Sequence, residues 1–228
     1  KKKNFHRYDD LTPKTFFKDH VGLDLNNFVC LIDCPMSDKE YNRVYTVEFL
    51  GNVIEGNAIR YLNVEIEVLK RATIESIKNN DPVWFGCDVG KYSEKKTGIL
   101  DKELLKYELI FGDPIEMSKG NKLQYYINTL NHAMIIKGYN KLNGQINRWL
   151  VENSWGDYNE MDGNMEMSMN WFENYVLEVV VHKRFLSSKL RGTLKSKPIL
   201  LEPWDPLGLL AKKFRKGGKT AKNREKLK

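Results

Sequence analysis

The sequence of 228 residues contains few cysteines and histidines and has no long hydrophobic run. No apolar stretch approaches the roughly 18 residues that a membrane-spanning helix needs, so we expect no membrane partner. No secretory signal segment is recognisable at the start. The chain begins with Lys1 instead of methionine. We therefore expect an upstream segment that was cut, left out or lies on another chain.

The three cysteines are Cys30, Cys34 and Cys87. An odd number without a secretory segment favours free thiols in the cytoplasm or another reducing intracellular compartment. Cys30 and Cys34 have CxxxC spacing, but no second Cys or His pair lies nearby. We therefore expect buried structural thiols and no metal site.

Positive charge is concentrated at the end of the chain. Residues 212–228 contain nine basic residues and one acidic residue, whereas the whole chain has a net charge of +7. This tail also contains two adjacent glycines, so we expect it to be disordered when free. It could bind RNA, DNA or another anionic partner through phosphate contacts, or remain solvated without a partner. The basic residues we assign to such contacts are Lys212, Lys213, Arg215, Lys216, Lys219, Lys222 and Arg224.

Local patterns predict an α+β protein, because helical segments are followed by several short strands. Helices are predicted over residues 13–21 and 63–79, and strands over 28–32, 45–49, 83–87, 133–139, 148–152 and 175–181. We divide the chain into four regions. Residues 1–81 form a helical or mixed segment, 82–183 a β-rich half, 184–211 a C-terminal arm and 212–228 the basic tail.

His132 is the histidine with the strongest case for chemistry, since it stands at the start of an apolar strand. Asn153 follows the next apolar strand, 21 residues later. Two adjacent strands would place both side chains at one edge of a sheet, where the amide oxygen could orient the imidazole ring. That pair is the base and its orienting group in a nucleophilic site. A structural histidine beside a structural asparagine is the competing interpretation.

Several sequence blocks add to this pattern. The segments NHAM, GY and VENSWG resemble the His and Asn blocks of papain-like cysteine peptidases. The segments KEYNRVYTVEFLGNV, VWFGCDVGK, RWLVENSWG, WFENYVLEVVV and PWDPLGLLA resemble the bleomycin hydrolase and aminopeptidase C branch. The resemblance covers nearly all of residues 5–211 in collinear order. It implies a papain-like fold, mainly the half that contains the β-barrel, with flanking helices and a C-terminal arm.

The resemblance also implies function. Members of this branch are cytosolic thiol aminopeptidases without a cofactor, which form hexameric barrels and act on peptides. Their C-terminal arm lies in the active-site cleft. On this mapping His132 is the general base and acid, Asn153 orients it and Trp155 shields the pair. Leu210 and Ala211 would occupy the cleft.

The sequence departs from the family pattern in three places. The catalytic cysteine and the oxyanion-hole glutamine would lie upstream of Lys1, and Cys87 is no substitute because it sits inside a buried strand. The turn after Asn153 lacks one of the usual glycines, which could strain it. The tail also extends seventeen residues beyond Ala211, where the family's arm ends.

Two hypotheses follow for the function of the chain. In the first, it is the C-terminal part of a cysteine aminopeptidase and is inactive alone, its cysteine being supplied by an upstream half or a separate chain. In the second, it is a catalytically inactive subunit derived from a peptidase, held in a larger, possibly ribonucleoprotein, assembly partly by its basic tail.

Overall fold

A computed structural model describes residues 5–51, 53, 55–113 and 116–208. This part of the chain contains groups of consecutive strands separated by mostly short helices. The strands are β1 (Phe28–Ile32), β2 (Arg43–Val47), β3 (Tyr61–Asn63), β4 (Val83–Cys87), β5 (Ser93–Glu94), β6 (Ile99–Leu100), β7 (His132–Leu142), β8 (Gln145–Glu152), β9 (Asn164–Ser168), β10 (Val176–His182) and β11 (Ile199–Leu201). The α-helices are α1 (Pro13–Phe16), α2 (Ile66–Lys78), α3 (Glu108–Phe111), α4 (Lys119–Gln124), α5 (Met169–Tyr175) and α6 (Ser188–Thr193).

The strands form a single mixed sheet in the order β11-β2-β3-β1-β10-β4-β7-β8-β9-β6-β5. Strand β10 comes late in the sequence but lies between β1 and β4, and it is antiparallel to both. Strands β7 and β8 form an antiparallel hairpin. The late strand therefore joins the first three strands to this hairpin within one sheet. The four-part division of the chain stays a prediction.

Helix α2 is the longest helix of the described chain and packs against β10, β7 and β4. Its buried face carries Leu69, Ala72, Thr73 and Ser76. This helix was predicted from residue 63, but Asn63 belongs to β3 and Glu65 is the extended N-cap. The buried amide of Asn63 explains why the helix begins later than predicted. It accepts a hydrogen bond from the backbone of Cys34 and donates to backbone carbonyls, which fixes the residue in the strand.

All six predicted strands are present, and two of them have the predicted bounds: β1 and β4. The first helix was predicted over residues 13–21. It is α-helical only to Phe16 and continues to Val21 as a π-helix, which Gly22 ends in a left-handed conformation. Strands β3, β5, β6, β9 and β11 were not predicted. Four of them have only two or three residues, too few to show an alternating pattern, whereas β9 does alternate and was missed. The arm also contains α6, which starts at an N-cap serine, Ser187.

The hydrophobic core consists of two clusters of buried residues. The larger cluster contains Trp149, Trp171 and Phe172, all of which are fully buried. Trp149 stacks on Phe172 with ring centroids 5.2 Å apart. The smaller cluster joins β1, β2 and β10 to α4 and to Leu207 near the end of the described chain. The arm is thus part of the core.

Replacing Gly120 by alanine is expected to destabilise the fold. An ideal Cβ at this position in α4 would overlap the backbone carbonyl oxygen of Pro35, so helix or loop must shift. Overpacking of this kind costs about 1–3 kcal/mol in the free energy of unfolding. Gly192 in α6 is the matched control, since a Cβ there meets no atom within 4 Å. Denaturant unfolding should give a lower free energy of unfolding for Gly120→Ala than for Gly192→Ala. Equal values would contradict the predicted overlap with Pro35.

Candidate active site

His132 and Asn153 lie at one edge of the sheet because of the β7–β8 hairpin. His132 is the first residue of β7 and is paired with Cys87 of β4. Asn153 follows Glu152, the last residue of β8, which is paired with Ile135. Since the two strands are antiparallel, the start of one lies beside the end of the other. The structure therefore brings together the two residues that the sequence analysis paired.

The two side chains are in hydrogen-bond contact. His132 Nε2 is 2.9 Å from Asn153 Oδ1. The same amide oxygen accepts a hydrogen bond from the backbone N–H of Ser154 at 2.8 Å. An amide oxygen has no proton to give, so Nε2 must be the donor. Among the described residues, Nδ1 has no hydrogen-bond partner, and this nitrogen remains for a reacting group.

Asn153 is held more firmly than His132. Only 8% of its surface is exposed, and its amide nitrogen lies 3.2 Å from the hydroxyl oxygen of Tyr158. Its backbone N–H donates to the carbonyl oxygen of Gly163. Because both ends of the amide have partners, its orientation is fixed before any substrate binds. The contribution of Tyr158 was not predicted from the sequence.

Aromatic rings surround the pair on one side. The ring centroids of Trp155 and His132 are 4.8 Å apart, and Tyr158 packs edge-on against Trp155 at 5.4 Å. The ammonium of Lys95 lies 5.3 Å from the centre of the Trp155 ring. Trp155 is 40% exposed, so it covers the imidazole and still borders solvent.

The residue before His132 is also fixed. Asn131 accepts a hydrogen bond from the backbone N–H of Val89, and its amide nitrogen donates to the buried carboxylate of Asp88. The backbone N–H of Asn131 donates to the carbonyl oxygen of Cys87. These contacts set the direction in which the chain enters β7. Apart from its position directly after a buried strand, nothing in the local pattern indicated a role for Asp88.

The turn after Asn153 contains one residue in an unfavourable backbone conformation. Asp162 has φ of +50° and is followed by Gly163 at +79°. The left-handed region costs a residue with a side chain roughly 1–2 kcal/mol, although aspartate tolerates it better than most. Asn159 stabilises the turn, because its side-chain oxygen accepts from the backbone of Met161 and Gly163. The turn therefore has defined internal bonding despite the missing glycine.

Among the hydrogen bonds of the described chain, none joins a cysteine thiol to the imidazole ring of His132. Cys34 and Cys87 are buried, and all three are free thiols. Burial raises the pKa of Cys34 to about 12, and burial together with the charge of Asp88 raises the pKa of Cys87. The thiol of Cys87 contacts the backbone oxygen of His132 at 3.7 Å. Neither of these two thiols is suited to form a thiolate near neutral pH.

The remaining predicted site residues belong to the end of the arm and to the basic tail. Leu210, Ala211 and the tail residues from Lys212 to Arg224 lie outside the described residues. Over the described chain, no group of three or more His, Cys, Asp or Glu residues could hold a metal ion. None of the helices in the described ranges has the length and hydrophobicity that a membrane span requires.

Comparisons with known proteins agree on one family. The model of the Peptidase C1-like family matches residues 1–208. Aminopeptidase C of Listeria monocytogenes is 44% identical over 211 residues, which are 92% of this chain and 48% of the relative. Bleomycin hydrolase of Gallus gallus is 38% identical over 218 residues, covering 93% of this chain and 48% of the relative.

A solved structure gives the same result. The crystal structure of PepW from Lactobacillus rhamnosis superposes with a TM-score of 0.85 at 39% identity, over 90% of this chain and 46% of that chain. The chain thus spans about half the length of the curated relatives and of the solved structure that it matches. It belongs to the Peptidase C1-like family, and its fold is the predicted papain-like α+β fold.

Proposed function

We propose that this chain is the C-terminal part of a cysteine aminopeptidase and supplies His132 and Asn153 to a Cys-His-Asn site. The cysteine would come from an upstream half, on the same or a separate chain, and the two parts together are called the complete protein below. The hydrogen bond between His132 Nε2 and Asn153 Oδ1 carries the proposal, because it leaves Nδ1 for a thiol.

The proposed reaction uses the imidazole twice. Nδ1 of His132 takes the proton of the cysteine thiol, and the thiolate attacks the carbonyl carbon of the peptide bond. The imidazolium then gives this proton to the leaving amine, and a thioester remains. Water attacks the thioester while His132 accepts one of its protons, which releases the acid and restores the thiol. Thiolate, imidazole and water suffice for this chemistry, so we propose no metal or organic cofactor.

Asn153 and Trp155 would act through His132. The fixed amide holds the ring so that Nδ1 faces the same direction in every step. Trp155 covers the hydrogen bond between His132 and Asn153. Shielding from water strengthens such a bond. By likeness to aminopeptidase C and bleomycin hydrolase, we infer that the substrates are peptides with a free amino terminus. We also propose that the complete protein forms a homo-hexamer and that Leu210 and Ala211 lie in the active-site cleft of each subunit.

Peptide hydrolysis by the complete protein tests this proposal. We expect release of the amino-terminal residue from an unblocked peptide, and loss of that activity after alkylation with iodoacetamide. Mass spectrometry should place the inactivating label outside Cys34 and Cys87, because both thiols are buried. A complete protein without hydrolytic activity would contradict the proposal. If its RNA binding were then lost on truncation after Ala211, the non-catalytic alternative with the basic tail would be supported instead.

Replacing Asn153 by alanine in the complete protein is expected to lower kcat by about 10- to 100-fold, because a poorly oriented imidazole is displaced from its reacting partner. KM should change less, since Asn153 does not contact the substrate in this mechanism. Asn147→Ala is the matched control, as Asn147 also lies on the hairpin and bonds only with the side chain of Asn140 among the described side chains. Steady-state kinetics of both variants decides the point, and an Asn153 variant with more than half of the original kcat would contradict the orienting role.

A further inference from the structure

A cavity of about 770 Å³ lies where the end of α5 meets α4 and the segment before it. Sites for small molecules have volumes of this size. The ring of Tyr92 stacks on Tyr175 with centroids 5.7 Å apart, and Tyr107 packs edge-on against Tyr92. Much of the wall is aromatic or apolar, formed by Tyr92, Leu105, Tyr107, Met117, Ile127 and Tyr175. The wall therefore suits a ligand with a flat or branched apolar group.

The cavity also contains an ammonium group without a carboxylate partner. Lys122 Nζ lies 3.1 Å from Asn174 Oδ1 and 5.0 Å from the centre of the Tyr175 ring, and it forms no ion pair within the described chain. Burial lowers the pKa of Lys122 and nearby lysines lower it further, while Glu116 opposes them in part. Glu116 itself is paired with Lys102 at 2.8 Å. A partly buried cation without a counter-charge is stabilised by a bound anion.

A buried amide oxygen in the same wall lacks a hydrogen-bond partner. Asn128 is 0% exposed, and its amide nitrogen donates to the carbonyl oxygen of Asn174 at 2.9 Å. Among the described residues, Asn128 Oδ1 has no donor. The backbone N–H of Asn128 donates to the carbonyl oxygen of Lys122, so both side chains belong to one small region around Asn174. Buried polar groups usually have partners, and this oxygen needs an N–H or O–H group.

We propose that this cavity binds the carboxyl end of a short peptide. The terminal carboxylate pairs with Lys122, the amide N–H of the last residue donates to Asn128 Oδ1, and the last side chain packs on the tyrosine rings. The carboxylate and the N–H of such an end are attached to the same α-carbon, which matches the neighbouring positions of Lys122 and Asn128. A free amino acid fits less well, because its ammonium adds positive charge beside the lysines. The inference goes beyond the proposed function, since it requires no reaction at His132.

N-acetylphenylalanine is the probe for this site, because it carries a carboxylate, an amide N–H and an aromatic ring. Calorimetric titration of the complete protein should show saturable binding. Two analogues each lack one group: N-acetylphenylalaninamide has no negative charge, and O-acetyl-3-phenyllactate has an oxygen in place of the N–H. Each analogue should bind about tenfold or more weakly, the loss expected when a buried charge or hydrogen-bonding group stays unpaired.

Lys122→Met keeps an apolar side chain of similar length and removes the ammonium. It should weaken binding of N-acetylphenylalanine by about tenfold or more, and binding of the uncharged amide by much less. Lys141→Met is the matched control. The ammonium of Lys141 also lies near a tyrosine ring, 5.8 Å from the centre of Tyr139, but Lys141 does not line the cavity. This control variant should bind the probe as the original protein does.

The outcomes separate this inference from the proposed function. Lack of saturable binding of N-acetylphenylalanine overturns the inference, and so does equal affinity for the acid and either analogue. Inorganic phosphate that binds more tightly than the probe would indicate a general anion site and also overturn it. If Lys122→Met does not fold, the three compounds decide the question on the original protein. A complete protein that binds the probe as expected but hydrolyses no peptide contradicts the proposed function alone.

Discussion

Replacing His132 by alanine in the complete protein is expected to lower the rate of peptide hydrolysis by about 100- to 10,000-fold, the range that a general acid and base contributes. The imidazole is proposed to take the thiol proton and to protonate the leaving amine, so its removal affects both the formation and the breakdown of the thioester. The free energy of unfolding should change little, because His132 is only half-buried and alanine leaves the β7 backbone intact. Peptidase kinetics and denaturant unfolding of the same preparation measure the two effects.

His182→Ala is the control for this experiment. His182 ends β10, is also half-buried and accepts a hydrogen bond from the backbone of Arg184. Its replacement should cost stability through the lost cap but leave hydrolysis unchanged. A loss of less than tenfold in His132→Ala would remove His132 from the mechanism. An equal loss of activity in both variants would point to a folding effect instead of a catalytic one.

Replacing Glu178 by glutamine is expected to change how stability depends on pH. Glu178 lies in the middle of β10, is 7% exposed, and accepts a hydrogen bond from the thiol of Cys30 at 3.4 Å. Burial raises its pKa, and the hydrogen bond from Cys30 lowers it by a smaller amount. The resulting pKa is about 7. The folded protein therefore keeps a proton on Glu178 at pH values where the unfolded chain has lost it.

Because the pKa of Glu178 is higher in the folded state than in the unfolded state, the free energy of unfolding falls as the pH rises. Below about pH 4 the carboxyl is protonated in both states, so Glu178 adds no pH dependence. As the pH rises to about 7, the unfolded state loses its proton first, and the free energy of unfolding falls by about 3 kcal/mol in total. Above pH 7 the contribution is constant. Glutamine cannot ionise, so Glu178→Gln should exceed the original protein in stability by on the order of 3 kcal/mol at pH 8 and by little at pH 4.

Unfolding free energies measured between pH 4 and 8 test this prediction. The free energy of unfolding of the original protein is subtracted from that of the variant at each pH, because the other carboxyl groups contribute equally to both. Glu103→Gln is the control, since Glu103 is exposed and its replacement should not reproduce a gain of this size at pH 8. A Glu178→Gln difference that is flat from pH 4 to 8 would show that the carboxyl is already ionised in the folded protein.

Local patterns predicted the parts of the fold that depend on neighbouring residues. The apolar runs of β1 and β4 have their predicted bounds, and the N-cap and proline that begin α1 act as predicted. The contact between His132 and Asn153 was also predictable, because two strands joined by a short turn must pair antiparallel. The catalytic role of the two residues stays a prediction.

Other features of the site depend on residues that are distant in the sequence. The amide of Asn153 is oriented partly by Tyr158, and the entry into β7 is fixed by Asp88, which lies more than 40 residues before Asn131. No spacing rule identifies such partners. The buried ion pair between Lys39 and Asp205 joins positions 166 residues apart, and only the packing of the arm makes it visible.

The sequence by itself determined the bounds of β1 and β4, the pairing of His132 with Asn153, and the likeness to the family, because these depend on local side-chain pattern and on order along the chain. Tertiary structure decided where β10 enters the sheet, which carboxyl is buried enough to keep its proton, and how the arm is anchored. Those properties depend on desolvation by residues from many parts of the chain. The free energy of a buried charge is set by everything packed around it, and local sequence does not specify that environment.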